Sequence, residues 1–112
     1  MLNRTEKARY PLIKVKELIA GNKVYFAARE KNFETLKQLG FSIDDALKTI
    51  IKLKDSDFAG VDIEQEKTDA DVYIKRISGI WIYIKLKIEK PNLLILSFHK
   101  DESGSQNKKG EK

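Results

Sequence analysis

The chain has 112 residues, a net charge of +5 and no cysteine. That length predicts one domain that buries roughly two-thirds of its unfolded surface and needs neither crosslinks nor metal to fold. Without cysteine, disulfides, thiolate metal sites and a cysteine nucleophile are excluded. Residues 1–10 carry no apolar signal core, and no stretch reaches the roughly 18 apolar residues of a membrane span, so a cytoplasmic protein with no membrane partner is expected.

Charge is segregated along the chain. Residues 1–52 hold eleven basic and six acidic groups, 53–71 hold two and seven, 72–100 hold six and one, and 101–112 hold three of each. Basic blocks of this kind suit a polyanion such as RNA; a merely solvated lysine-rich surface is the alternative.

Pro11 opens the first predicted helix, in which Leu12, Ile13, Val15, Leu18 and Ile19 recur three and four apart until Gly21 stops it. Lys23 to Ala27 reads as a short extended piece. A second helix is expected from Ala28 to Leu39, with Phe33 and Leu36 on one face and Gly40 as its stop. Ser42, with Asp45 three residues on, reads as a capping box for a third helix whose stripe is Ile43, Ala46, Leu47, Ile50 and Ile51. The acidic run Asp55, Asp57, Asp62, Glu64, Glu66 predicts a solvated loop and a weak strand about Val61 to Gln65, and its spacing matches no calcium-binding loop.

From Asp71 onward the apolar period changes from 3.6 to 2. Strands are expected at 71–77, 80–89 and 93–99, with Ser78-Gly79 and Pro91-Asn92 as hairpin turns. In the middle strand Ile80, Ile82, Ile84, Leu86 and Ile88 share one face, expected to be core. Trp81, Tyr83, Lys85, Lys87 and Glu89 share the other, expected to be wet. Leu93 to Phe98 is apolar on both faces, as a central strand should be. The polar tail 101–112 lacks any apolar residue and is expected to be disordered, leaving 1–100 as the domain. Helices first and strands afterwards predict an α+β fold with N-terminal helices packed on one face of a C-terminal antiparallel β-sheet.

The wet face combines rings that can stack on bases with ammonium groups that can meet phosphates: Trp81, Tyr83, Lys85, Lys87. Tyr73 and Lys75 share a face of the neighbouring strand, and we expect it to be the Tyr83 face. An ordinary solvated face stabilised by cross-strand pairs is the competing explanation. His99, the only histidine, ends the last strand beside Lys100, and histidine suits proton transfer at neutral pH, although a single histidine at a strand end is commonly just polar surface. One histidine and no cysteine argue against a transition-metal site. Ser97 lies in an apolar strand and suggests no serine triad.

Seven short motifs, in order, carry a resemblance. They are Val15, Lys16, Leu18 and Gly21; Leu39-Gly40-Phe41; Ile50, Ile51 and Leu53; Ser56-Asp57-Phe58; Asp71-Val72-Tyr73; Tyr83-Ile84-Lys85; and Ser97-Phe98. Over nearly all of residues 10–100 the chain resembles the MqsR family of toxin ribonucleases from bacterial toxin–antitoxin pairs. The resemblance implies a RelE-like fold, metal-independent cleavage of mRNA, a cognate antitoxin as partner, no cofactor and no DNA bound by the toxin itself. Family members usually carry an aromatic residue and a lysine after the Ser-Asp-Phe run, where this chain has Ala59 and Gly60, and a glutamine where it has Ala70. His99 replaces the family's lysine, and Tyr83 carries over unchanged.

Metal-free RNA cleavage needs a base for the ribose 2′-hydroxyl, a cation for the phosphorane and an acid for the leaving 5′-oxygen. The expected catalytic set is His99 as acid or base, Lys85 as cation, and Tyr83 as stacking or proton-donating group. Lys75, Trp81, Lys87, Lys100 and Tyr73 are expected to hold RNA. A catalytically impaired RNA- or antitoxin-binding module is the alternative.

Overall fold

A computed structural model describes residues 2–63 and 68–101. In chain order the elements are β1 (Leu2–Asn3), α1 (Leu12–Ala20), β2 (Val24–Phe26), α2 (Glu30–Leu39), α3 (Ile43–Ile51), a 3₁₀ turn (Asp55–Asp57), β3 (Phe58–Asp62), β4 (Ala70–Ile77), β5 (Ile80–Glu89) and β6 (Asn92–Lys100). The strands form one sheet in the order β1-β3-β4-β5-β6-β2, antiparallel throughout except for the parallel pair β2–β6. This is the expected α+β arrangement.

Each helix begins and ends for a local reason. Pro11 stands just outside α1 as its N-cap residue, its carbonyl accepting from the N–H groups of Lys14 and Val15. The Ser42–Asp45 capping box opens α3, and Gly40 ends α2 in the left-handed conformation that a side chain resists. α2 starts at Glu30, two residues later than expected, because Arg29 is extended. Its buried stripe is Asn32, Thr35 and Leu36; Phe33, expected on the core face, is 44% exposed.

The core lies between helices and sheet: Val15 of α1, Leu36 of α2, and Ala46 and Ile50 of α3 pack on Tyr73, Ile82, Ile84, Leu86, Leu93, Ile95 and Phe98. The β4–β5 turn is Ser78-Gly79, both with positive φ, the backbone that matches the right-handed twist of its strands. The β5–β6 turn falls at Lys90-Pro91, one residue earlier than expected, because Glu89 pairs with Asn92.

Three findings depart from the sequence reading. β3 begins at Phe58, earlier than the expected strand, and residues 64–67 of the acidic run lie outside the described residues. Two members of that run are tied to the sheet, Asp57 to Lys75 and Asp62 to Lys85, while Asp55 is exposed; nearer β4, Asp69 pairs with Arg9 and buried Asp71 accepts hydrogen bonds from the N–H groups of Arg9 and Tyr10. Third, the outer sheet face is only partly wet, because Ala59, Val72 and Ile74 are buried there beneath Leu2, Trp81 and Tyr83. The expected disordered tail falls outside the described residues from 102 onward, whereas Asp101 is buried against the end of the sheet, its N–H donating to the Trp81 carbonyl. Among the described residues no helix is long and apolar enough to cross a membrane.

Candidate functional site

β2 pairs with β6 only from Leu93 to Ile95, so the outer edge of β6 beyond Ile95 needs other partners. α2 supplies them with side chains. The Asn32 amide donates to the carbonyls of Ala27 (3.1 Å) and Leu96 (3.3 Å) and accepts from the Phe98 N–H (3.0 Å). Thr35 Oγ1 accepts from the Lys100 N–H at 2.9 Å. Buried polar groups inside α2 thus do the work of a neighbouring strand, and they fix the helix start beside the end of β6. A bulge at Leu96, between the pairs Lys85–Ser97 and Leu86–Ile95, turns Ser97 and His99 onto the outer sheet face while Ile95 and Phe98 stay in the core.

The result is a concave pocket of about 550 Å³ lined by Arg29, Glu30, Lys31, Tyr83, Lys85, Ser97, His99 and Asp101. Tyr83 lies directly across from His99, and their rings stack with centroids 5.4 Å apart and planes 13° from parallel. His99 Nδ1 is 2.9 Å from the Lys100 carbonyl. A carbonyl can only accept, so Nδ1 carries the proton of the neutral ring and Nε2 holds a lone pair.

Charge in the pocket is distributed differently from the expectation. Lys85 Nζ is 3.0 Å from Asp62, with both side chains largely buried. Much of its charge is spent on that carboxylate. Burial, together with the charges of Asp62 and Asp101, pushes the Tyr83 phenol up to about 12. Lys85 therefore does not turn Tyr83 into a base; at neutral pH Tyr83 is a neutral hydrogen-bond donor. Arg29 is exposed and makes no ion pair with another described residue, leaving its guanidinium to face an anion.

Of the residues expected at the site, Tyr83, Lys85 and His99 come together. Tyr73 and Lys75 do not: Tyr73 pairs with Ile84 and Lys75 with Ile82, which puts both on the helix side of the sheet. Tyr73 is a core residue, edge-on to Phe58, and Lys75 is 3.8 Å from Asp57. Lys100 pairs with Ile82 and also belongs to the helix side. Trp81 shares the outer face but lies outside the pocket lining, with the Arg76 guanidinium 5.9 Å from its ring centroid. Lys87 is buried, 3.0 Å from Glu89, and lines a hollow of about 140 Å³ beside the pocket together with Arg29, Asp62, Thr68, Ala70, Lys85 and Leu96.

Sequence reasoning missed Arg29, Glu30, Lys31, Ser97 and Asp101. For Ser97 and Asp101 a signal existed, since strand alternation puts both on the face of His99. For Arg29 to Lys31 there was none, because only the packing of α2 against β6 brings them there. Among the described residues no group of three or more acidic or histidine side chains is placed to hold a metal ion.

Residues 7–100 match the family model described as "Motility quorum-sensing regulator, toxin of MqsA". No curated protein matches the chain. The matched span runs from the segment held by Asp71, through the three helices, to the end of β6, and so takes in the whole pocket except Asp101; the chain belongs to the MqsR toxin family.

Proposed function

We propose that this toxin is a metal-independent endoribonuclease, cutting mRNA in the cytoplasm to 2′,3′-cyclic phosphate and 5′-hydroxyl ends until a cognate antitoxin binds it. The observation that carries the reading is the convergence of His99, Tyr83, Lys85 and Arg29 on one pocket. His99 Nε2 takes the proton of the ribose 2′-hydroxyl, whose oxygen bonds to the adjacent phosphorus. The phosphorus–5′-oxygen bond breaks as the Tyr83 hydroxyl transfers its proton to the leaving oxygen, and solvent then removes the proton gained by His99 and returns one to Tyr83. Arg29 meets the charge on the phosphorane, a role the expectation gave to Lys85. Lys85, held by Asp62, shapes the pocket floor and adds the remainder of the positive field.

The test is cleavage of a mixed-sequence RNA by His99→Ala. Loss of one acid–base group lowers the rate about 10²- to 10⁴-fold. Full activity in a folded His99→Ala protein removes histidine from the mechanism.

A second reading is an RNA- or antitoxin-binding member with impaired catalysis, and one observation favours it. Where relatives carry lysine this chain has Gly60, and a Cβ there would stand 2.7 Å from the Asn3 carbonyl oxygen, so β1 occupies the space a side chain would need. Intact RNA bound with a steep salt dependence would select this reading.

A further inference from the structure

The outer sheet face does not end at the pocket. One strand pleat beyond the Lys85–Ser97 row, Lys87 pairs with Leu94, and Leu94 pairs in parallel with Tyr25 of the edge strand β2. Partnered residues in a sheet share a face, so Tyr25 stands on the same side as Tyr83 and His99. Strand spacing and rise put it about 10 Å from Ser97. Tyr25 is 70% exposed, and half-buried Leu94 and Leu96 floor the space between it and the pocket. Arg29 and Lys85 line both the pocket and the hollow next to it, so the two are immediate neighbours.

A single exposed tyrosine is ordinary. This one ends an apolar strip that begins at a pocket where Arg29, Lys31 and Lys85 stand beside Glu30 and Asp101, and it lies on the pocket's own face, which is the layout of a track for single-stranded nucleic acid: cations for phosphates and a ring for a base. We propose that Tyr25 is a base-stacking subsite for the RNA strand flanking the cleaved phosphate, with Leu94 and Leu96 beneath the chain and the cleaved phosphate itself at Arg29. The proposal rests on the nuclease reading for which phosphate lies in the pocket, but its binding test does not require cleavage.

The probe is 2′-O-methyl RNA, which lacks the attacking hydroxyl, as a labelled dinucleotide and as an oligomer of about eight residues. The intact protein should bind the oligomer more tightly than the dinucleotide. Tyr25→Ala should weaken oligomer binding about tenfold and remove most of that gain, whereas Tyr25→Phe should keep it, because stacking uses the ring and not the hydroxyl. Equal oligomer affinity in Tyr25→Ala and the parent protein overturns the proposal, as does equal proportional weakening for both probes. A Tyr25→Ala defect confined to antitoxin binding overturns it in favour of a protein interface. Tyr25-dependent binding without cleavage of natural RNA would contradict the nuclease reading and leave the subsite standing.

Discussion

At the residue scale, burial decides what Tyr83 can do. A phenol pushed up to about 12 by burial and neighbouring carboxylates keeps its proton well past the ordinary tyrosine value of 10. The sign follows directly: raising the value of a proton donor extends its working range upward. Cleavage measured against pH, corrected for alkaline hydrolysis of the RNA, should therefore show no Tyr83-dependent fall at pH 10, and Tyr83→Phe should be slow across the range. A decline centred at or below pH 10 that Tyr83→Phe abolishes would show the phenol acting with an unshifted value. His99 was legible as a candidate because it is the sole histidine. Its tautomer was not, because that depends on the Lys100 carbonyl 2.9 Å away.

At the scale of elements, the sheet edges carry the information that pattern-reading lacked. Alternation identified both faces of β5 correctly, yet Tyr73 and Lys75 were assigned to the wrong one. The two-residue turn Ser78-Gly79 pairs Ile77 with Ile80, and counting back from there puts Tyr73 opposite Ile84. A one-residue error in register exchanges faces, so the turn was the signal to use. No such rule reaches Asn32, whose role depends on lying beside the unpaired edge of β6. Asn32→Ala leaves the Phe98 N–H and the Leu96 carbonyl without that partner, and should cost about 3 kcal/mol of stability in denaturant melts. An unchanged midpoint would show that the α2–β6 clamp contributes nothing.

The N-terminal strand is a second edge device. β1 covers the outer edge of β3, with Leu2 and Asn3 opposite Asp62 and Val61, and it comes so close that only glycine fits at position 60. Gly60 also has φ +150°, which a side chain adopts only under strain. Introducing the lysine that the resemblance implies at this position, by Gly60→Lys, should lift β1 from the sheet and lower stability by about 1–3 kcal/mol rather than raise activity. Unaltered stability together with faster cleavage would mean that β1 yields readily and the lysine site persists beneath it.

For the molecule as a whole, helices packed on one face of a mostly antiparallel sheet were readable from the change of apolar period near Asp71. The short strands β1 and β2 were not, because two or three residues carry no periodic signal and their pairing is set by what they cover. Three members of the site were legible from alternation along β5 and from the sole histidine. The basic side of the pocket was not, because Arg29 and Lys31 arrive from the start of α2, more than 50 residues before Tyr83 in sequence.

On the proposed reading, these groups cleave RNA without a metal. The most direct test is incubation of the purified toxin with mixed-sequence RNA in EDTA, with the ends of the products mapped. Discrete cuts leaving 2′,3′-cyclic phosphates and 5′-hydroxyls, absent with His99→Ala, are the expected result. RNA left intact in EDTA but cut when magnesium is restored, or products with 5′-phosphates, would contradict that reading.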